Sequence, residues 1–482
     1  MVVNSINFCI FFIIVLVAYY GLFRKSYKFQ NLILLISSYI FYGMVDWKMC
    51  VILLIATVVF YFLGAAIAKN NGSNEKVASR LTTLGVLLGV GLLFYFKYLD
   101  FFVEQFGNLL SSIGLQNNIN TFGILMPLGI SFFTFKLIAY VIEVHRETME
   151  PSKDPIAFGT FIAFFPTIMS GPIDQPGKFL PQLNNVRECT YDNLSEGAKR
   201  ILWGMFLKMC IADQLSGYTS AVLGNYEHHN TTSLVLASVL YYFQMYTDFA
   251  GYSDMAIGVS QMVGIRIAEN FNRPIFAQNI SEYWRRWHIS LTSWITQYIY
   301  MPLNLAFRNL GMTGICLAAI INTIAIGAWH GANWTYIIFG LYHGVIIAII
   351  TLVEKRRKKF EKEYNLKKKA WWKYSRILLT FVLVDIGMIL FQANSVSDFF
   401  GTIGALGCGF GMPFLSNVPE TIAAIFAICI VLFKEFNDEN KKNRHYIHSA
   451  NYWVRAVSVA LLVSYIMYFG ALEGGTFIYF QF

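Results

Sequence analysis

Charged side chains are scarce in this sequence of 482 residues, since Asp, Glu, Lys and Arg together make up only 13%. Soluble globular domains carry about 25% charged residues, so the composition excludes an ordinary soluble protein and predicts an all-α polytopic membrane protein. The sequence also lacks the Gly-x-Ser-x-Gly, P-loop, zincin and Rossmann patterns. Any catalysis must therefore come from histidine, without an obvious serine or cysteine nucleophile.

Cysteine is sparse as well, and its spacing indicates neither a metal site nor a redox site. No CxxC pair or Cys/His ligand pattern occurs, so we expect no bound metal. The cysteines are scattered along the chain, and we interpret them as inert thiols: Cys9, Cys50, Cys189, Cys210, Cys316, Cys408 and Cys429.

Long apolar stretches recur along the whole chain. A helix needs about 20 mostly apolar residues to cross a bilayer, and shorter stretches can be re-entrant. We therefore predict roughly eleven to thirteen transmembrane or re-entrant helices in one membrane-embedded domain, residues 1–482. The candidate stretches are 7–23, 30–45, 50–68, 81–99, 124–144, 156–170, 201–223, 233–263, 313–329, 334–353, 376–393, 420–434 and 454–472.

The basic residues predict an orientation in the membrane. Arg24, Lys25 and Lys28 follow the first apolar stretch, which has no cleavage signature, so we expect a retained span with the N-terminus outside. Segment 354–376 holds eleven Lys or Arg against three Glu and is predicted to be a cytoplasmic loop. A merely solvated linker is an equally good interpretation. The net charge of +9 thus reflects a positive-inside pattern, and we expect no nucleic-acid partner.

His330 is the most informative residue, because it lies in the apolar run 326–334, IGAWHGANW. An imidazole is costly to place in hydrocarbon, so an intramembrane histidine indicates a cavity or a pathway. We expect Gly327, Gly331 and Asn333 to unwind the helix around it. If segment 354–376 is cytoplasmic, the helix over 334–353 begins about 25–30 Å away from it, which places His330 toward the external half of the membrane.

A second histidine, His288, lies in segment 281–303, SEYWRRWHISLTSWITQYIYMPL. Placed on one helix, this segment carries a stripe of Trp and Tyr with arginines opposite, as in helices at a membrane interface. An anchoring helix with a satisfied histidine is the simpler interpretation. Arg285 and Arg286 suit a donor phosphate, because guanidinium groups pair with phosphate oxygens; lipid headgroups would suit them equally well.

Asp248 places a carboxylate in the apolar stretch 242–254. An intramembrane aspartate is a functional hypothesis by default, and Asp248 could orient an imidazole. A structural hydrogen bond is at least as good an explanation.

Five motifs together resemble the bacterial, polysaccharide-modifying branch of the membrane-bound O-acyltransferase (MBOAT) family. The resemblance covers nearly the whole chain and extends to the terminal FIYFQF. Its motifs are SGPID…FLPQL at 170–183, YTDFAGYSDMAIG at 246–258, ENFNRP at 269–274, YWRRWHISLTSW at 283–294 and GAWHGANW at 327–334.

The resemblance implies the MBOAT fold, a ring of helices around a thin centre with a central tunnel. It also implies that His330 is the essential histidine and His288 the second characteristic one. Asp248, Trp329 and Asn333, together with Arg285 and Arg286, become candidates for binding or orienting the donor. Relatives usually have an Arg–Asp pair where this chain has Thr296 and Gln297.

The function that we expect is acetyl transfer from a cytoplasmic thioester, acetyl-CoA or an acyl carrier, across the bacterial cytoplasmic membrane. The acceptor would be a hydroxyl of an extracellular polysaccharide or of a partner protein, and the resemblance suggests a secreted or membrane-anchored SGNH-type partner. D-alanyl transfer from a carrier protein toward teichoic acid is an alternative. A polysaccharide or acyl-group exporter without chemistry is an alternative of another class.

Overall fold

The computed structural model describes residues 3–22, 25–115, 120–440, 446–471, 475, 477 and 478. These residues form twenty α-helices joined by short 3-10 and π-helical turns, and the described part of the chain contains no β-strand. The predicted all-α class is therefore confirmed.

Two compact units make up the chain. Met1–Ile201 and Ser253–Ala268 belong to the first unit, and Leu202–Tyr252 and Glu269–Phe482 belong to the second. All candidate site residues fall in the second unit, so the site can be described within it. That residues 1–482 form one domain stays a prediction.

The first unit contains helices that overlap the predicted apolar stretches, whereas its helices Leu99–Ser112 and Pro176–Phe179 lie almost entirely outside those stretches. Phe12, Leu34, Leu53 and Ile67 are among the apolar side chains of its core. The helices are α1 (Ile6–Val17), α2 (Tyr27–Gly43), α3 (Trp47–Asn70), α4 (Glu75–Leu93), α5 (Leu99–Ser112), α6 (Ile130–His145), α7 (Pro155–Ala163), α8 (Pro176–Phe179) and most of α9 (Tyr191–Leu207).

The second unit contains the long helices that surround the candidate site. Helix α11 begins in this unit, which it leaves after Tyr252. The helices are α10 (Asp213–Leu223), α11 (Thr231–Met262), α12 (Ile280–Trp284), α13 (Ile289–Ile295), α14 (Met301–Ala306), α15 (Gly311–His330), α16 (Trp334–Glu363), α17 (Ala370–Gln392), α18 (Val396–Ala405), α19 (Val418–Asn440) and α20 (Tyr452–Phe469).

Six helical segments among the described residues are long and apolar enough to cross a membrane. They are Trp47–Asn70, Glu75–Ser112, Arg308–His330, Trp334–Glu363, Ala370–Gln392 and Tyr452–Phe469. The protein is thus a multi-pass membrane protein. The predicted total of eleven to thirteen crossings also counts shorter helices and stays a prediction, as does the central tunnel.

The predicted loop at 354–376 is mostly helical. Helix α16 continues to Glu363, and α17 begins at Ala370, so only a short connection separates them. The buried Glu361 explains this, because its carboxylate forms an ion pair with Arg376 at 3.1 Å and lies 3.7 Å from Arg357. Charge alone predicted a loop, whereas this ion pair extends the helix beyond the apolar run.

Glycines bring α15 and α16 into backbone contact. A Cβ atom on Gly327 would overlap the carbonyl oxygen of Tyr336, and one on Gly340 would overlap the carbonyl oxygen of Thr323. A Cβ atom on Gly344 would overlap the Thr323 hydroxyl. Small residues at such positions let membrane helices approach closely. The contact fixes where α15 ends and α16 begins, which is where His330 lies.

We expect Gly327→Ala to destabilise the protein by about 1–3 kcal/mol, because the added methyl group forces α15 and α16 apart. Gly91→Ala is the matched control, since a Cβ atom there meets open space. Thermal unfolding in detergent, followed by size-exclusion chromatography, measures the difference. Equal melting temperatures for the two variants would contradict close packing at Gly327.

Candidate functional site

His330 is the last residue of α15 and is only 3% exposed. The chain leaves the helix at Gly331, which is extended, and Asn333 caps α16 by accepting a hydrogen bond from the Thr335 N–H at 3.0 Å. The predicted break in the backbone thus lies directly after the histidine. Our expectation that Gly327 unwinds the helix is wrong, because Gly327 is helical and serves the contact with α16.

Aromatic rings enclose the His330 imidazole. The rings of Trp329 and Phe391 each lie with their centroids 5.1 Å from that of His330, edge to face. Trp329 also contacts the ring of His288 at 5.6 Å. Trp329 therefore contacts both predicted histidines and joins them in one aromatic group.

His288 lies at a break between helices rather than within one. Helix α12 ends at Trp284 and α13 begins at Ile289, so the predicted single helix over 281–303 is wrong. His288 itself has a left-handed backbone with φ 44°, a conformation that costs energy for a residue with a side chain. The aromatic periodicity could not indicate this turn, since it continues across the break.

The His288 side chain is completely buried within the protein. Its Nδ1 lies 3.0 Å from the side-chain oxygen of Asn270, and Phe249 packs on its ring at 4.6 Å. Burial, together with the nearby charge of a protonated His330, lowers the pKa of His288 well below its ordinary value. His288 is therefore neutral at physiological pH.

Asn270 determines which nitrogen of His288 carries the proton. The same Asn270 oxygen accepts hydrogen bonds from the Ser290 backbone N–H at 3.3 Å and from the Ser290 hydroxyl at 2.8 Å. Because a backbone N–H can only donate, the Asn270 atom is an oxygen and His288 Nδ1 must donate to it. The lone pair of neutral His288 then lies on Nε2.

Sequence reasoning missed Asn270 as a site residue. The motif NFNRP at 270–274 indicated only a turn. The signal that could have identified Asn270 is its amide side chain, because the same motif contains Phe271 and Pro274. An amide that is buried beside such residues needs fixed hydrogen-bond partners.

Asp248 belongs to a buried ion cluster. Lys208 forms ion pairs with Asp248 at 2.5 Å and with Asp213 at 2.8 Å, and all three side chains are at most 5% exposed. The second oxygen of Asp248 accepts the backbone N–H of Ile478 at 2.8 Å, and Lys208 lies 4.4 Å from the ring centroid of Phe477. The ion cluster therefore contacts the C-terminal segment at Phe477 and Ile478. The remaining residues of the terminal motif, 479–482, lie outside the described part of the chain.

A cavity of about 400 Å³ is lined by Asn333, three residues after His330, and we call it the polar cavity. The ion cluster forms one wall, while Asn333, Tyr336 and Phe391 form another. Hydroxyl and amide groups complete it, namely Ser216, Thr219, Ser220, Tyr241, Gln244, Gln392 and Asn394. Such a lining suits a hydroxyl-bearing ligand.

A second cavity, of about 760 Å³, lies along α15, α16 and the segment from α12 to α14; we call it the arginine cavity. Among the described residues that line it, the exposed Arg285 is the one cation. Trp284 and Ile326 contribute apolar surface, and Thr296 and Gln297, where relatives usually have an Arg–Asp pair, also line it. Arg285 is therefore placed to meet an anionic group.

Arg286 faces away from both cavities, into an ion network. Its guanidinium pairs with both oxygens of Glu439, at 3.1 and 3.0 Å, and with Glu282 at 2.8 Å. Arg273 also pairs with Glu439, at 3.0 Å. This geometry gives Arg286 a structural task, and its predicted contact with a donor phosphate stays a prediction.

Lys208 was also missed, although its signal was present in the sequence. A lysine within the apolar stretch 201–223 needs an anionic partner, because an unpaired charge is costly in a low-dielectric interior.

Asn333, which we predicted to contact the donor, caps α16 and donates to the carbonyl oxygen of Asn394 at 2.9 Å. Its predicted contact with the donor is not tested by this geometry.

We expect Lys208→Met to destabilise the protein by about 3–5 kcal/mol, because two buried carboxylates lose their cation. Adding Asp248→Asn should restore part of the loss, since one of the two charges is then removed. Lys434→Met is the control, because its ion pair with Asp438 is partly exposed. Unfolding in detergent measures all three, and a Lys208→Met melting temperature equal to that of the control would contradict the cluster.

The sequence of this chain is similar to those of known proteins over most of its length. Residues 152–391 match the model of the MBOAT, membrane-bound O-acyltransferase family. The probable alginate O-acetylase AlgI of Pseudomonas aeruginosa is 37% identical over 399 residues, which cover 82% of this chain and 73% of that protein.

Two further relatives differ in how much of the chain they match. The peptidoglycan O-acetyltransferase of Helicobacter pylori is 28% identical over 515 residues, with 95% of this chain and 93% of that protein covered. The teichoic acid D-alanyltransferase of Bacillus subtilis is 32% identical over 281 residues, with 55% and 69% covered. The match to the family model and the identity to AlgI over most of both chains show that this protein belongs to the membrane-bound O-acyltransferase family.

Proposed function

We propose that this chain is a membrane O-acetyltransferase that moves an acetyl group from a thioester on one side of the membrane to a hydroxyl on the other. The observation that supports it most strongly is the position of His330 at the end of α15, one turn beyond the arginine cavity, with its ring centroid 5.1 Å from that of Phe391 in the polar cavity. Ile315, Ala319 and Ile326 line the arginine cavity at helical spacing on α15, and His330 follows Ile326 by one turn. Beyond His330, Asn333 and Tyr336 line the polar cavity.

The arginine cavity would receive the donor from the cytoplasm. Its lining includes Thr351, one turn before the basic stretch that begins at Lys355. Placing that stretch in the cytoplasm follows the positive-inside rule, and the polar cavity, at the opposite end of α16, would then face outside. An external N-terminus is proposed on the separate ground that Arg24, Lys25 and Lys28 follow the first apolar stretch. Acetyl-CoA or an acyl-carrier thioester would enter with its phosphate near Arg285, since a guanidinium group binds phosphate well.

His330 would act as the general base. It would take the proton from the acceptor hydroxyl, whose oxygen attacks the thioester carbonyl and forms a new C–O bond. When the C–S bond breaks, the thiolate leaves and receives the proton from His330, so that no proton is gained or lost overall. The acetyl group then resides on the acceptor oxygen, and the thiol returns to the cytoplasm.

His288 would assist as a neutral, oriented acceptor. Its proton is held on Nδ1 by Asn270, so its Nε2 lone pair can accept a hydrogen bond from the protonated His330 or from the donor amide. Trp329 would keep the two imidazoles in fixed positions by contacting both rings.

The relatives support acetyl as the cargo and a cell-envelope glycan as the acceptor. Proteins named for acetylating alginate and peptidoglycan match 82% and 95% of this chain, whereas the D-alanyltransferase of B. subtilis matches 55%. The acceptor would be a polysaccharide hydroxyl, or a hydroxyl of an SGNH-type partner that completes the transfer outside. Family membership argues against an exporter without chemistry.

We expect His330→Ala to insert and fold normally but to lower acetyl transfer by at least about 10²–10⁴-fold, the usual contribution of a positioned acid–base group. Proteoliposomes with acetyl-CoA labelled in its acetyl group provide the measurement, as label released from the donor. His228→Ala is the control, because His228 is exposed. Unchanged release by His330→Ala would refute the catalytic role, and no release by wild type would indicate a carrier donor or a missing partner.

For Asn270→Ala we expect kcat to fall by about ten- to a hundredfold with a small change in KM, since an orienting partner is lost. Asn270→Asp should recover part of the rate, because a carboxylate accepts the same three hydrogen bonds. It should also shift the activity profile toward higher pH, since a neighbouring negative charge raises the pKa of an imidazole. If both variants show the wild-type kcat and pH profile, Asn270 does not position His288.

The neighbouring arginines form a matched pair for donor binding. Arg285→Gln should raise the KM for the donor without changing the melting temperature, because Arg285 is exposed in the arginine cavity. Arg286→Gln should lower the melting temperature, since Glu439 and Glu282 lose a shared cation. Initial rates and thermal unfolding distinguish the two variants. A lower melting temperature for Arg285→Gln together with a higher KM for Arg286→Gln would show that the two arginines have the opposite roles.

A further inference from the structure

The segment 393–418, which follows α17, combines an ordered backbone with exposed apolar side chains. The side chains of Phe410 and Met412 are 89% and 90% exposed, and Phe400 is 65% exposed. Monomeric proteins seldom present adjacent, fully exposed large apolar residues to water without a binding role. We propose that this segment is an interfacial anchor that inserts Phe410 and Met412 into the lipid of one leaflet.

The loop that carries these residues is held in place by the first turn of α11. The Thr231 backbone N–H donates to the carbonyl oxygen of Gly409 at 3.1 Å, and the Asn230 amide donates to that of Met412 at 2.8 Å. The Phe414 N–H donates to the Ser233 hydroxyl at 2.8 Å. Phe410 and Met412 are thus displayed by a fixed backbone.

The depth of this loop follows from two helices that run antiparallel. Ser238 of α11 donates to Asp385 of α17 at 2.9 Å, and one turn further Tyr242 packs on Phe381. Helix α11 begins at Thr231, seven residues before Ser238, and α17 ends at Gln392, seven residues after Asp385. Because the two helices are antiparallel, both of these ends lie about 10 Å from the Ser238–Asp385 hydrogen bond and on the same side of it. The loop bound to Thr231 is therefore level with the end of the membrane-spanning α17.

Composition favours lipid over water and over a soluble partner. Asp398 is the one charged residue in 393–418, and no lysine or arginine occurs there. Helix α18 turns Thr402 and Ala405 inward and exposes Phe400, as an amphipathic helix lying in an interface does. The boundary between headgroups and acyl chains suits such a surface.

The anchor would fix the position of the polar cavity relative to the membrane. Gln392 directly precedes the anchor and Ala393 and Asn394 are its first two residues, and all three line that cavity. An acceptor that reaches His330 would therefore approach along the membrane surface. This placement does not depend on the proposed chemistry, so that failure of the acetyl-transfer assay leaves the anchor standing.

The test is the depth of a nitroxide spin label in lipid vesicles. Phe410→Cys and Met412→Cys are prepared in the full chain with its seven cysteines replaced, and the accessibility of the label to oxygen and to a water-soluble nickel chelate is measured. Lys367→Cys is the reference in water, and Leu378→Cys on α17 is the reference in lipid, since both side chains are exposed.

We expect labels at 410 and 412 to favour oxygen over the nickel chelate, as the label at 378 does. A preference for the chelate like that at 367 would overturn the proposal and make the loop a solvated surface for a soluble partner. Inaccessibility to both reagents would also overturn it, because the side chains would then be covered by protein. Labels at exposed positions avoid the folding defect that a core substitution brings.

Discussion

The close contact between α15 and α16 determines the position of the site. Because Gly327, Gly340 and Gly344 carry no side chain, the two helices touch along their backbones and must reverse direction within a few residues. His330 ends one helix and Asn333 caps the other. The imidazole therefore lies at a reversal with helices on both sides, where the backbone is satisfied by a cap rather than by water.

Polar groups near the site satisfy one another inside the protein. Asn270 accepts hydrogen bonds from His288 and Ser290, Lys208 neutralises Asp248 and Asp213, and Glu439 holds Arg286. A low-dielectric surrounding makes each such group costly if it stands alone. In the proposed mechanism the two histidines therefore differ in role, since Asn270 fixes His288 and His330 would be the imidazole that takes the proton.

The sequence was sufficient to predict the fold class, the long helices and the two histidines as candidates, because hydropathy and the motif around His330 are local signals. It was not sufficient for the turn at His288, since an aromatic stripe continues through a break when the residues on both sides face the same core. Asn270 and Lys208 were missed because their partners are distant in sequence: 18 residues separate Asn270 from His288, and 40 separate Lys208 from Asp248.

If the donor enters through the arginine cavity, as proposed, the length of that route explains why Arg285, rather than a residue beside His330, should decide which donor is used. Fifteen residues separate Ile315 from His330 on α15, a path of about 22 Å. Only a long, thin arm can carry a thioester along it, and acetyl-CoA and acyl carriers share that kind of arm. The walls of the arginine cavity would therefore contact both donors alike. In the proposed mechanism discrimination would occur where the donors differ, at the mouth, where Arg285 would meet a phosphate that is either part of a nucleotide or attached to a protein.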